Sequence, residues 1–545
     1  IAVLMSTQTF FLILNAFVVS PFKLLMAGKG VIDLGDGQGL NPLLQYWTMV
    51  IHPPMLYLGY VGFSVPFAFA MGSLITKQPG EEWIKTTRRW TLVTWLFQSC
   101  GIVLGSAWAY AVLGWGGYWA WDPVENASLL PWITATAFLH SVMMQEKKGM
   151  MKVWNMVLVS STFFLCIFGT FLTRSGVVQS VHAFAESPIG KYFVTFLAIG
   201  IALTVYLILN RLDFLKSESQ LESVLSRESS FMFNNLILLA SCFSVLWGTL
   251  FPVITEYAMG EKISVDKPFF DRVNIPIALF LLLLTGVGPL IAWRRSSFES
   301  LKRAFRWPTI LGVAVAAGLF ASGMRHIYAL MSFMLCTFVL TTVAMEFWKG
   351  SRAISSKSGQ NLVMAMIELT HRNTRRYGGY LVHVGIVIMF IGFTGAAFNL
   401  DKTVELAQGQ STEIGPYSIK VTGYEEGEER DQYRWDRVIV DLSKNGEHLD
   451  TVKPERRFFI ASQTPTTQVA LRRRLNEDVY LNFAGTGDAN TYVMQAYVFP
   501  LVTWIWLGFL VVLFGTLVCL VPDKKKLVFP RMEVVGIGKP ETVQS

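Results

Sequence analysis

Trp115-Gly-Gly-Tyr-Trp-Ala-Trp-Asp-Pro-Val-Glu-Asn-Ala-Ser128 separates two strongly apolar segments, about 94–111 and 129–145. Its glycines and polar residues make it a poor membrane span, so it reads as the connection between two spans. Trp115, Tyr118, Trp119 and Trp121, beside Gly116 and Gly117, form a π-rich surface. Such a surface suits a large planar ligand lying against a membrane; the plain alternative is an aromatic belt at a bilayer edge. Asp122-Pro123 is a turn signal, and Asn126 or Ser128 is placed to cap the helix that follows. Asp122 and Glu125 can be read as an acid/base pair, but beside a cap they read better as structural.

Working outward, apolar runs recur along the whole 545-residue chain, which is 52% hydrophobic. The expected fold is mainly α: a polytopic transmembrane helical bundle of about twelve spans with a small extracytoplasmic β domain. The spans are predicted at about 2–20, 57–76, 91–111, 129–145, 151–172, 190–210, 233–253, 274–293, 307–323, 327–347, 379–398 and 496–521. Every second connection is rich in Lys and Arg: 77–90, 145–152, 211–232, 294–306, 348–378 and the tail at Lys524–Lys526. Those connections are assigned to the cytoplasmic side. The net charge of +8 is therefore an orientation signal and does not point to nucleic acid. The Trp-rich loop (112–128) and the polar region 399–495 fall on the opposite side. Tyr417–Thr422 and Arg437–Leu442 alternate as strands do, and Asn445-Gly446 signals a hairpin turn. The domains read as a helical region 1–398, a β-rich domain 399–495, a last span 496–521 and a cytoplasmic tail 522–545.

The five cysteines all lie in apolar segments without a CxxC pair, which argues against a disulfide framework or a thiolate zinc site. The loop Gly35-Asp-Gly-Gln-Gly39 lacks the context of a phosphate loop. Ile1 already lies inside an apolar run, so the sequence is expected to lack its true N-terminus.

Seven histidines remain to be placed. His52 and His182 are read in extracytoplasmic loops, each just before a span, at the face that carries the Trp-rich loop. Imidazoles from two sides form a common axial pair for haem iron; taken alone, each reads as a polar loop residue. His140 and His383 lie inside spans. His140 is twelve residues beyond Ser128, about 18 Å from the outer face, and His383 is about 7 Å from the inner one. In a core of about 30 Å those depths are comparable, so the two can clamp a metalloporphyrin between helices. The alternative is a hydrogen bond from each ring to a neighbouring helix. His326, His371 and His448 carry no assigned chemistry. Arg174, at the outer end of a span, can pair with a carboxylate such as a haem propionate or serve as a snorkelling anchor.

The Trp-rich stretch resembles the "WWD" signature of haem-handling membrane proteins. Three further blocks narrow the resemblance to the cytochrome c maturation protein F (CcmF/NrfE) family. They are Leu40-Asn-Pro-Leu-Leu44 leading to His52-Pro-Pro-Met-Leu-Tyr57, Gly169-Thr-Phe-Leu-Thr-Arg-Ser-Gly176 leading to Val181-His-Ala-Phe184, and Gly378-Gly-Tyr-Leu-Val-His383. The family usually begins with several more spans, and this sequence begins after them.

The resemblance implies a haem lyase subunit of the cell inner membrane. His52 and His182 would ligate haem presented on Trp115, Gly116, Gly117, Tyr118, Trp119, Trp121 and Asp122. A transmembrane haem b would sit between His140 and His383, with quinol as the suggested electron donor. Implied partners are a CcmE-type haem chaperone, apocytochrome c, its CcmH-type thiol-handling partner and membrane lipid. The rival reading is a transporter of haem or another solute; the sequence shows neither an inverted repeat nor a pair of interrupted helices.

Overall fold

The computed structural model describes residues 1–22, 39–78, 80–178, 180, 188–219, 221, 223–224, 226–291 and 297–522. The Gly35–Gln38 part of the glycine-rich loop, His182 and the Lys524–Lys526 tail lie outside them.

The helices of the first half are α1 (Ala2–Ile13, continued by a π turn to Val18), α2 (Trp47–Gly62), α3 (Ser64–Ile75), α4 (Glu82–Val112), α5 (Pro123–Lys148), α6 (Lys152–Ser175) and α7 (Gly190–Leu209). The second half adds α8 (Arg227–Met259), α9 (Lys267–Val287), α10 (Phe298–Ala321), α11 (Ile327–Ser358), α12 (Leu362–Arg372), α13 (Thr374–Gly395) and α14 (Thr503–Leu520). Among the described residues eleven helical stretches are long and apolar enough to cross a membrane, with α2 and α3 forming one of them; Ala2–Val18 is a shorter apolar helix. The protein is a multi-pass membrane protein.

Several starts differ from expectation: α4, α8, α9, α10 and α13 begin five to nine residues early, the last span begins at Thr503 instead of 496 because β10 runs to Pro500, and two further shifts bear on the site. The span placed at 57–76 begins at Trp47, so His52 lies inside α2 and not in a loop. In lipid an apolar stretch must satisfy its backbone internally, and the helix runs through Pro53 and Pro54. Likewise α5 begins at Pro123, five residues before Ser128. Its cap is Asp122, and Asn126 and Ser128 are helical.

Between α13 and α14 the chain forms β1 (Leu400–Ala407), β2 (Ser411–Ile414), β3 (Tyr417–Glu429), β4 (Tyr433–Lys444), β5 (Glu447–Val452), β6 (Glu455–Phe459), β7 (Thr464–Gln468), β8 (Ala470–Arg472), β9 (Glu477–Thr486) and β10 (Thr491–Pro500). One sheet runs β1-β10-β9-β8; the other runs β2-β3-β4-β6-β7, with β5 pairing β4. Alternate residues of β4 (Val438, Val440, Leu442) bury against Leu481, Phe483 and Met494 of the other sheet, which makes a sandwich. Asn445 and Gly446 both have positive φ and close the β4–β5 hairpin in two residues.

Close contacts between α13 and α14 fix the position of His383. Gly378, Gly385 and Gly392 recur every seven residues on α13. A Cβ at any of them would strike α14, at Cys519, Val512 or Ile505. This stripe lets α14 back directly onto α13. Gly385 is two residues from His383, so the stripe lies on roughly the opposite face of α13 from the histidine.

Candidate functional site

The Trp-rich loop is built as the entry to α5. Asp122 accepts from the Val124 N–H at 2.9 Å, and Glu125 accepts from the N–H groups of Asp122 (3.2 Å) and Ala120 (2.9 Å), a reciprocal capping box. The Ser180 hydroxyl donates to the same Asp122 oxygen at 2.7 Å, tying in the segment beyond α6. Asp122→Ala removes the cap and costs about 1–2 kcal/mol. A lowered thermal midpoint in detergent checks this, and an unchanged midpoint counts against it.

The aromatic rings fan over the end of the bundle. Trp115 packs against the cluster of Trp108, Ala109, Ala111 and Val112 at the end of α4, as Leu471 of β8 does. Tyr118 lies 6.2 Å from Phe393 of α13 and 6.4 Å from Trp506 of α14. Burial, with the Asp271 carboxylate nearby, holds its hydroxyl well above the usual phenol range. Trp121 has φ +59°, stacks on Phe270 at 5.0 Å and donates its indole N–H to Asp271 at 3.0 Å. Trp119 meets Trp121 edge-on at 88°, so no single plane holds the four rings. Gly117 stands clear of close neighbours. Arg174 is exposed in the last turn of α6, where a cation suits the helix C-terminus.

The sandwich packs on this loop. A Cβ on Gly116 would lie 2.6 Å from the Tyr497 ring, and one on Gly114 would lie 2.7 Å from Thr467 Oγ1. Tyr110 of α4 donates to Asp478 of β9 at 3.1 Å. Burial raises the Asp478 carboxyl above its ordinary range.

His52 sits where α2 crosses α4. Its Nδ1 lies 2.7 Å from the Gly101 carbonyl, which can only accept, so Nδ1 carries the proton and Nε2 the lone pair. A Cβ on Gly105 would lie 2.7 Å from His52 Cε1. Gly101-Ile-Val-Leu-Gly105 is therefore the seat of this ring. That GxxxG spacing on an apolar helix was the available signal for it, and the sequence reading missed it. Asp271, in the first turns of α9, was also missed. Whether His182 meets His52 lies outside the described residues.

His140 and His383 face each other from α5 and α13. Their ring centroids are 6.3 Å apart and the rings are parallel within 4°. One metal–imidazole bond is about 2 Å and the nitrogen lies about 1 Å from its ring centre, so two ligands on one metal put the centroids about 6 Å apart. Nδ1 of His140 donates to the Thr136 carbonyl at 2.7 Å, which puts the lone pair on Nε2, the atom that could meet a metal. Nδ1 of His383 is buried and has no hydrogen-bond partner among the described residues. A buried polar atom in that state calls for an explanation, and a ring placed for a ligand supplies one. The donor set is two neutral imidazoles, which fits haem iron. Among the described residues no group of three or more His, Cys, Asp or Glu is placed to hold an ion.

A helical membrane bundle with an aromatic loop, braced by a β-sandwich inserted before the last helix, is the architecture of a cytochrome c assembly membrane protein. Residues 1–182 match the family model described as cytochrome C assembly protein, and residues 397–500 match the CcmF C-terminal beta-sandwich. The sequence is 35% identical over 509 residues to the cytochrome c-type biogenesis protein CcmF of Haemophilus influenzae, covering 89% of this chain and 74% of that protein. It is 33% identical over 535 residues to the CcmF of Escherichia coli, covering 96% and 78%. The solved structure of a cytochrome c heme lyase CcmF superposes with a TM-score of 0.77 at 28% identity, over 96% of this chain and 77% of that one. The chain belongs to the CcmF family.

Proposed function

We propose that this protein is a haem lyase of cytochrome c biogenesis that holds two haem groups, one resident between His140 and His383 and one substrate presented at the Trp-rich loop. The observation that carries the reading is the pair of parallel imidazoles set 6.3 Å apart inside the bundle. The resident haem b would supply one-electron transfer across the membrane, with quinol as donor. A cavity of about 830 Å³ opens between α11, α12, α13 and α14, with Leu381, Val384, His371 and Thr370 in its wall, and gives such a donor room on the face of α13 that packs on α14.

At the loop, the Gly101 carbonyl fixes the His52 tautomer so that Nε2 meets the substrate iron. The aromatic rings hold the porphyrin and the sandwich keeps them in place. Two thiols of the apocytochrome CxxCH then add across the two vinyl groups: each sulfur bonds one vinyl carbon and a proton goes to the other. Haem comes from a CcmE-type chaperone, and a CcmH-type partner delivers the reduced thiols. The Trp-rich loop and sandwich face the periplasm, the Lys/Arg-rich ends of the helices the cytoplasm.

The test is cytochrome c maturation in cells that depend on this protein. His52→Ala will reduce thioether-linked haem at least about tenfold while purified protein keeps its bis-histidine spectrum. Undiminished maturation in the variant would count against the assignment.

A further inference from the structure

The ends of α5 and α13 opposite the Trp-rich loop carry cations in register with the two facing histidines. The Arg375–Glu146 ion pair of 2.8 Å joins the start of α13 to the end of α5, so the helices run antiparallel and share this end. Lys147 follows His140 by seven residues and Arg376 precedes His383 by seven. Seven residues come within about 20° of two full turns and span about 10 Å. Each cation therefore lies on its histidine's face of the helix, the same distance toward the same end. A third helix repeats the pattern. Phe231 of α8 has its ring centre 6.2 Å from that of His140, and Arg227 lies one turn further toward the shared end. Lys148 of α5 pairs with Glu228 of α8 at 3.2 Å, which brings Arg227 to the same end of the bundle as Lys147.

Like charges drawn together from three helices repel, which calls for anions among them. Glu146 pairs with Arg375 and, at 3.4 Å, with Arg88; Glu346 pairs with Arg376 at 2.5 Å. Arg227 also donates to the Gly288 and Pro289 carbonyls at the end of α9. Orientation in the membrane asks only for cations in exposed loops. It does not ask for matched register with two buried imidazoles.

We propose that Lys147 and Arg376, with Arg227 beside them, bind the two carboxylates of the porphyrin whose iron lies between His140 and His383. This rests on the resident-haem reading above. Both carboxylates leave one edge of a porphyrin, so a single cationic end of the site takes both, and the iron, the two imidazoles and the cations fix the ring's rotation about its axis. Charge-assisted hydrogen bonds to Arg and Lys are the strong kind for such groups.

The experiment titrates full-length, haem-free protein in detergent with protohaem and with its dimethyl ester, read by the bis-histidine absorption spectrum. Wild type will prefer protohaem by at least about tenfold, the worth of one or more hydrogen bonds to charged groups. In the Lys147→Gln, Arg376→Gln double variant that preference will fall toward that of free solution, while Lys147→Arg will keep it. Dividing the wild-type preference by that of the variant cancels the different solubilities of the two ligands. A wild type that treats acid and ester alike overturns the proposal, whether or not the double variant folds. So does a double variant with undiminished preference. If the double variant loses only affinity for vesicles of anionic phospholipid, the cations serve lipid headgroups and the proposal is wrong. Absence of a bis-histidine spectrum with either ligand in wild type refutes the resident-haem reading itself, a separate outcome.

Discussion

His140→Ala and His383→Ala will each abolish the low-spin bis-histidine spectrum of the purified protein and lower its haem affinity by more than about 100-fold. In the proposed site the two rings would supply one bond each to a single iron, and their separation suits one metal. Neither neighbouring helix can take over. His140 is fixed by its own helix, through the Thr136 carbonyl. α13 is held in place from behind by α14 through Gly378, Gly385 and Gly392, so the remaining ring cannot swing to close the gap. Partial replacement is also informative: a variant that keeps one imidazole has an open iron face and shifts toward a high-spin spectrum. Two variants that both retain the wild-type spectrum would remove the buried site from the account.

Gly116→Ala will damage the protein far more than Gly117→Ala, although the two glycines are adjacent. Gly116 has φ +71°, which costs a non-glycine residue about 1–3 kcal/mol. Its added methyl would also lie 2.6–2.9 Å from three atoms of the Tyr497 ring, a crowding worth about 1–3 kcal/mol more. A methyl on Gly117 would meet no neighbour within 4 Å, and its φ is not positive, so alanine there is close to neutral. The Gly116 variant will lift the loop from the sandwich and suppress cytochrome c maturation severalfold or more, while the spectrum from the buried pair persists. Adding Tyr497→Ala will relieve the crowding and leave the backbone strain. Equal effects at 116 and 117 would show that the sandwich does not seat the loop.

The spans were legible because lipid imposes a local rule: an apolar stretch must close its own hydrogen bonds. The sandwich was legible in fragments, through the alternation of Arg437–Leu442 and the Asn445-Gly446 turn, because strand period and turn chemistry are also local. Residue counting along two helices brought His140 and His383 to one level. His52 was placed in a loop because the span was started at 57, whereas the helix runs from Trp47 through Pro53 and Pro54. Lys147, Arg376 and Arg227 were read only as orientation signals, with no link to the two histidines. The place of Arg227 depends on where Phe231 meets His140.

By itself, then, the sequence determined the membrane class, the order of helices and sandwich, and the depth of the two buried histidines. Each of these follows from residues within a few turns of one another. The tertiary structure alone decided which residue meets the glycine pair of α4, namely His52 of α2. It alone decided that Tyr497, some 380 residues downstream, closes over Gly116, and that cations from α5, α8 and α13 gather at one end of the imidazole pair. Contacts between distant segments are fixed by which helix faces pack together, and no local periodicity encodes that choice.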